Sequence, residues 1–276
     1  MRKIDIPLQI DHLRTLGADF AALHTTVTAL DSLPGSDALH QLTPRILDIH
    51  ELVGRTLVRL SVLDNSQYTA VPGSRASLNA LLSVLEAAST AASALSAAVA
   101  ANPLDATGFD GGPRNDDTAE RQARHAKAMS ILAKNLSRAA RQLALCATGC
   151  RYTASNITRS LKEHPEHQPR LPQLTAAQYA VLDKVARGGA RRYDRGRGKG
   201  MSVKAKDGST VHPTPFGVLE EHRLVRIDTR SSAFAGQDIT VTAAGELALA
   251  TQQPGGPQPA APAAGPVIGK AGGRRR

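Results

Sequence analysis

Leu13, Leu16, Phe20, Leu23, Val27 and Leu30 recur at alternating intervals of three and four residues. Only an α-helix gathers such positions on one side, because its 3.6-residue turn brings the chain back to the same face. The helix should stop near Pro34-Gly35. A second stripe follows on Leu39, Leu42, Ile46, Ile49, Val53, Leu57 and Leu60, with Pro44 in its first turns, where proline is tolerated. A third, after Pro72-Gly73, uses Leu78, Leu81, Leu82, Leu85, Ala88, Ala92, Leu95 and Val99. The fourth runs from about Asp116 to Leu161 on Met129, Leu132, Leu136, Leu143, Ile157 and Leu161. At that length it should either break near Gly149 or project beyond the other three. Residues 1–164 thus read as an antiparallel four-helix bundle or a pair of helical hairpins, with some coiled-coil character. Such a bundle is a dimerisation scaffold or a partner-binding module, and a homodimer through it is one expected assembly.

Aromatic residues are scarce: four Tyr, four Phe and no Trp in 276 residues. Leu, Val and Ala must therefore fill the core, and small side chains suit close-packed helices. The N-terminal residues interrupt every apolar run with charge, so no secretory signal is expected, and no run reaches the length of a membrane span. A cytoplasmic protein without membrane contact follows. Its two cysteines cannot build a disulfide framework.

The segment 165–173 is rich in proline and reads as a linker between two domains. The segment 102–117 reads as a mobile connector, and the Pro/Ala/Gly tail 251–276, ending in three arginines, as disordered. Positive charge is concentrated beyond the linker: residues 166–276 hold 17 Lys/Arg against 9 Asp/Glu, whereas 1–165 hold 17 against 15. A clustered positive field favours polyanions.

From Leu174 the pattern changes. Thr175 is a plausible N-cap for a helix on Tyr179, Leu182, Val185 and Ala186, which Gly188-Gly189 ends. An Arg/Gly segment comes next. Residues 201–206 alternate as a strand, Asp207-Gly208 suits a tight turn, and 209–211 could return. A short helix with Thr214 as cap and Pro215 at its first position leads to a strand over 224–227. A polar loop, a returning strand at 239–241 and a closing helix over 243–250 complete residues 174–250.

Three pieces resemble a winged helix-turn-helix domain of the MarR-like type. Leu174-Thr-Ala-Ala-Gln-Tyr-Ala-Val-Leu182 resembles its opening helix. Leu219-Glu-Glu-His-Arg-Leu-Val225 resembles the end of the recognition helix entering the first wing strand. Ile239-Thr-Val-Thr-Ala-Ala-Gly-Glu-Leu-Ala-Leu249 resembles the second wing strand entering the last helix. The chain departs from this pattern in carrying Arg223 where the family commonly has glycine, and in placing the Arg/Gly segment and hairpin where a second helix belongs. The resemblance implies a mainly α chain with a small α+β winged-helix-like domain, and a helix from Thr214 to Arg223 approaching a DNA major groove beside a wing at 229–237.

Lys184, Arg187, Arg191, Arg192, Arg195, Arg197, Lys199, Lys204 and Lys206 stand against the single acid Asp194. A polyanion would relieve their mutual repulsion, whereas a solvated loop is the bland alternative. With Tyr193 as the cluster's one aromatic residue, duplex backbone is favoured over stacked single strands. Double-stranded DNA is therefore the expected partner. Arg187, Arg191, Arg192, Arg195, Arg197, Lys199, Lys204 and Lys206 are expected on phosphate, Thr214, Glu221, His222 and Arg223 at the groove, and Arg230 on the wing. Gly196-Arg-Gly-Lys-Gly200 lacks the hydroxyl residue and glycine spacing of a phosphate loop. Cys146, Cys150, His164 and His167 only loosely approach zinc spacing, since both cysteines fall within a continuous helical pattern. His212, Glu220, Glu221, His222 and Asp207 could furnish a nuclease, yet proximity in sequence does not assemble a pocket. The expectation is a regulatory DNA-binding protein without catalytic residues, metal or cofactor. A protein-interaction adaptor is the alternative.

Overall fold

The structure, a computed structural model, describes residues 2–30, 34–103, 118–194, 196 and 200–252. The segment 104–117, most of the connector expected to be mobile, and the tail 253–276, expected to be disordered, lie outside the described residues. The chain is mainly α: seven α-helices among the described residues, with one small antiparallel sheet after the helical region. Helices α1 (Ile6–Thr28), α2 (Ser36–Asp64), α3 (Ser74–Ala101) and α4 (Thr118–Glu163) form the bundle. Helix α4 packs along both α1 and α3, and α2 closes on α3 and, less extensively, on α1. Asp5 caps α1 by accepting the Leu8 N–H at 3.0 Å, and α2 continues through Pro44.

Helix α4 runs unbroken through Gly149 for 46 residues, about 70 Å. Gly149 serves close approach: a Cβ there would stand 2.5 Å from Val84 Cγ2 on α3. On the other side a Cβ at Gly17 of α1 would stand 3.2 Å from the Ala147 carbonyl oxygen and 3.3 Å from Cys150 Cβ. Cys146 and Cys150 lie in this narrow seam as free, buried core residues. Burial pushes both thiols up to about 12, and Cys146 Sγ donates to the Val84 carbonyl at 3.5 Å.

Most of the stripes are buried, with three corrections: Leu57, Leu82 and Met129 face solvent. On α3 the contact surface is Leu81, Val84, Ala88, Ala91, Ala92, Leu95 and Ala98, because close helix packing selects the alanine side and turns Leu82 outward. By length and composition α3 would also pass for a membrane span, contrary to the sequence expectation. Its alanines are seated against α2 and α4, which accounts for that composition as helix contact.

A Gln168-containing extended stretch leads into the second unit, where Leu171 packs against the apolar clusters of both units. Helices α5 (Ala176–Ala186), α6 (Pro213–Glu221) and α7 (Ala243–Thr251) accompany β1 (Ala190–Asp194), β2 (Met201–Lys204), β3 (Thr210–Val211), β4 (Val225–Ile227) and β5 (Gln237–Val241). The strand order is β3-β2-β1-β5-β4, with every pair antiparallel. Thr175 caps α5 in a reciprocal box with Gln178, and the Asp207-Gly208 turn joins β2 to β3 as the sequence suggests. Helix α6 starts two residues before its expected position, with His212 as cap and Pro213 at the first turn, where the missing proline N–H costs nothing.

Helix α7 seats this unit on the bundle. Ala243 and Leu247 join Ile10, Leu13, Leu63, Ile157 and Leu161 in one buried cluster. Polar contacts surround it. Arg14 meets Glu246 bidentately at 2.8 and 2.6 Å, and Arg226 donates to Thr15 Oγ1 at 3.2 Å. The Asp11 carboxylate accepts the Ala243 N–H at 3.0 Å, at the helix end where α7 offers free donors. Burial holds that carboxyl above its usual range, against the lowering effect of the Ala243 hydrogen bond and the Arg14 charge.

Candidate nucleic-acid interface

The Arg/Gly segment is the main correction to the sequence reading. Its first half is not a loop but β1, inside the sheet between β2 and β5. Ala190 pairs with Ile239 on the core side, while Arg191 stands opposite Lys204 of β2 and Asp238 of β5 on the outer face. Two neighbouring ladders satisfy the β1 backbone, and this outweighs the repulsion that favours a solvated loop.

The arginines are also less bare than the sequence suggests, because the fold delivers acids from elsewhere. Arg191 Nε donates to Asp238 at 2.8 Å. Arg192 donates to Gln237 Oε1 at 2.8 and 3.1 Å and reaches Glu220 of α6 at 3.4 Å. Arg187 pairs with Asp183 one turn back on α5, and Arg230 with Asp228 at 2.7 Å. Hydrogen bonds from Arg230 lower the Asp228 carboxyl to about 2. Solvent screens exposed pairs of this kind, so a phosphate can displace the carboxylate. Arg192 is more enclosed, at 21% side-chain exposure, and its three contacts make it a strut between sheet and α6.

Strand direction divides the remaining candidates between two ends of the sheet, roughly 15 Å apart for five residues. At one end lie Asp194 and Met201, paired across β1 and β2, and the β4–β5 loop, which carries Arg230. Arg195, Arg197 and Lys199 themselves lie outside the described residues. At the other end are Arg187, Lys204, Lys206, His222 and Arg223. Lys204 and Lys206 are exposed, and Lys206 runs its aliphatic stem against Gly189. His222 and Arg223 border a cavity of about 320 Å³ shared with Asp5, Leu8 and His12 of the bundle, so the end of α6 faces α1. Arg223 adopts φ 55°, the left-handed conformation that favours glycine over arginine. Thr214 is exposed on the first turn of α6, its N–H donating to His212 Nδ1 at 3.4 Å.

At the first end, strand β1 is tied to the β4–β5 loop. The Asp194 N–H donates to the Ala233 carbonyl at 3.0 Å. The Tyr193 ring lies over Gly236, where a Cβ would come within 2.6 Å of Cε1, and at φ 94° glycine is suited to the site. Phe234 is 73% exposed, with its ring edge 3.9 Å from where a Cβ on Gly196 would sit. The sequence marks Tyr193 only as the one aromatic residue of the basic cluster and does not single out Phe234; the only signal for both was an aromatic residue within a polar segment.

The residues weighed for catalysis have separate structural tasks. His212 caps α6, Glu220 meets Arg192, and Asp207 orders its own turn through Ser209. Among the described residues no three His, Cys, Asp or Glu side chains are arranged to hold a metal ion. No protein-family model, curated protein or solved structure matches the chain.

Proposed function

We propose that this chain is a regulatory DNA-binding protein that grips the backbone of a duplex with the two joined loops at one end of its C-terminal sheet. One observation carries the reading: the end of β1, after which the sequence continues into Arg195, Arg197 and Lys199, is tied by the Asp194–Ala233 hydrogen bond to the loop holding Arg230. The sequence thus supplies three basic residues directly after this tied end and a fourth, Arg230, in the partner loop, as phosphate contact requires. Helix α6 serves here as support, with its C-terminal end turned toward α1. The full chain with Arg195, Arg197 and Lys199 changed to Ala should bind a 20-base-pair duplex at least about ten-fold more weakly. Lys204→Ala with Lys206→Ala, at the opposite end, should change affinity little. Equal losses from the two sets would contradict the assignment to the joined loops.

A protein-interaction adaptor is the second reading, favoured by exposed Phe234 beside those loops and by the acids that already partner Arg191, Arg192 and Arg230. It predicts that Phe234→Ala abolishes partner capture while duplex binding is absent from the start.

A further inference from the structure

A cleft of about 490 Å³ opens along the seam between α1 and α2, the least closely packed of the neighbouring helix pairs in the bundle. We infer that it binds a small organic carboxylate, whose head meets Arg59 and whose apolar body lies against Val58 and the open face at Gly54. Arg59 is the key group. It donates to Gln9 Oε1 at 2.8 Å and stands 2.6 Å from His12 Nδ1, and both of these partners are neutral. A guanidinium always donates, so His12 Nδ1 must be the acceptor, which leaves the ring's proton on Nε2 as a further donor. Burial, then the Arg59 and Arg55 charges, hold His12 below the usual histidine range, in keeping with a neutral ring.

The cleft's other guanidinium is already matched. Arg55 meets Asp19 at 2.6 Å and Glu51 at 3.8 Å. Arg59 has no acid partner among the described residues, and it is half-buried beside a like charge. A carboxylate there would supply the missing counter-charge through charge-assisted, bidentate hydrogen bonds. Gly54 leaves the α2 wall open, since a Cβ there would meet nothing within 4 Å. Val58, half exposed, gives apolar surface beside the cation, which suits an amphipathic anion better than a bare ion.

The test is calorimetric titration of the full chain with sodium benzoate, inorganic phosphate and benzyl alcohol. Benzoate should bind saturably at one site with a dissociation constant on the order of a millimolar, as a ligand of that size allows. Phosphate and benzyl alcohol should each bind at least ten-fold more weakly. Arg59→Gln should cost benzoate at least ten-fold. Gly54→Leu should abolish binding by filling the cleft while leaving the melting temperature unchanged or raised. Absence of saturable benzoate binding overturns the proposal, as does undiminished binding in Arg59→Gln or Gly54→Leu. Equal binding of phosphate overturns the apolar half of the assignment, and equal binding of benzyl alcohol the anionic half.

Discussion

Gly54→Ala and Gly245→Ala make the same substitution in two helices, and the packing predicts opposite signs. Within a helix, alanine is favoured over glycine by about 1 kcal/mol, because glycine loses more backbone freedom on folding. At Gly54 nothing stands within 4 Å of the new methyl, so the chain should be stabilised by about 0.5–1 kcal/mol. At Gly245 the methyl would lie 2.3 Å from the Leu224 carbonyl oxygen and 2.6 Å from Val241 Cγ1. Relief requires the start of α7 and the start of β4 to separate by roughly 1 Å, since carbon and oxygen need more than 3 Å. That movement loosens three contacts: Thr242 N–H to Leu224 O at 3.0 Å, Thr242 Oγ1 to Arg223 O at 2.7 Å, and Ala243 N–H to Asp11. Overpacking costs about 1–3 kcal/mol and each weakened hydrogen bond about 0.5–1.5 kcal/mol. Against the propensity gain, Gly245→Ala should lose about 2–4 kcal/mol. Urea denaturation of both variants, followed by circular dichroism, measures the two effects. A Gly245→Ala variant as stable as the parent would refute the packing of α7 described above.

The Asp11 carboxyl has a folded-state pKa above its usual value, so its contribution to stability is complete below the unfolded pKa and is lost as pH rises through the folded one. Asp11→Asn, which keeps an acceptor for the Ala243 N–H without the buried charge, should therefore be at least as stable as the parent at pH 7. Asp11→Ala should lose about 1–2 kcal/mol in the same denaturation experiment by orphaning that N–H; equal losses would show that the charge itself is needed. Arg223→Gly should stabilise by about 0.5–1 kcal/mol, because a left-handed φ of 55° is costly for arginine and easy for glycine. A lower melting temperature in that variant would indicate that Arg223 makes a contact outweighing its backbone conformation.

The four bundle helices were legible because their buried residues repeat with the helix turn, and the hairpin at β2–β3 because Asp207-Gly208 declares its turn. Strand β1 was hidden, since Arg191, Arg192 and Asp194 look like solvated charge until Asp238, Gln237 and Glu220 arrive beside them from distant positions. The same distance concealed the docking of α7, where Asp11 and Arg14 meet Ala243 and Glu246 from the far end of the chain. Gly149 misled for a local reason: glycine both breaks helices and permits close packing, and only the position of Val84 distinguishes the two. Within the candidate interface the charge density was readable in order along the chain. Its division between two ends of the sheet was not, because strand direction depends on pairing that no local pattern specifies.

The central claim is tested most directly by anisotropy of a labelled 20-base-pair duplex titrated with the full chain between about 50 and 200 mM salt. Four phosphate contacts, from Arg195, Arg197, Lys199 and Arg230, predict a slope of log affinity against log salt near about −3.6. Replacing the first three with Ala should flatten that slope by about 2.7. No binding at the lowest salt, or a slope unchanged by those three substitutions, would contradict the account.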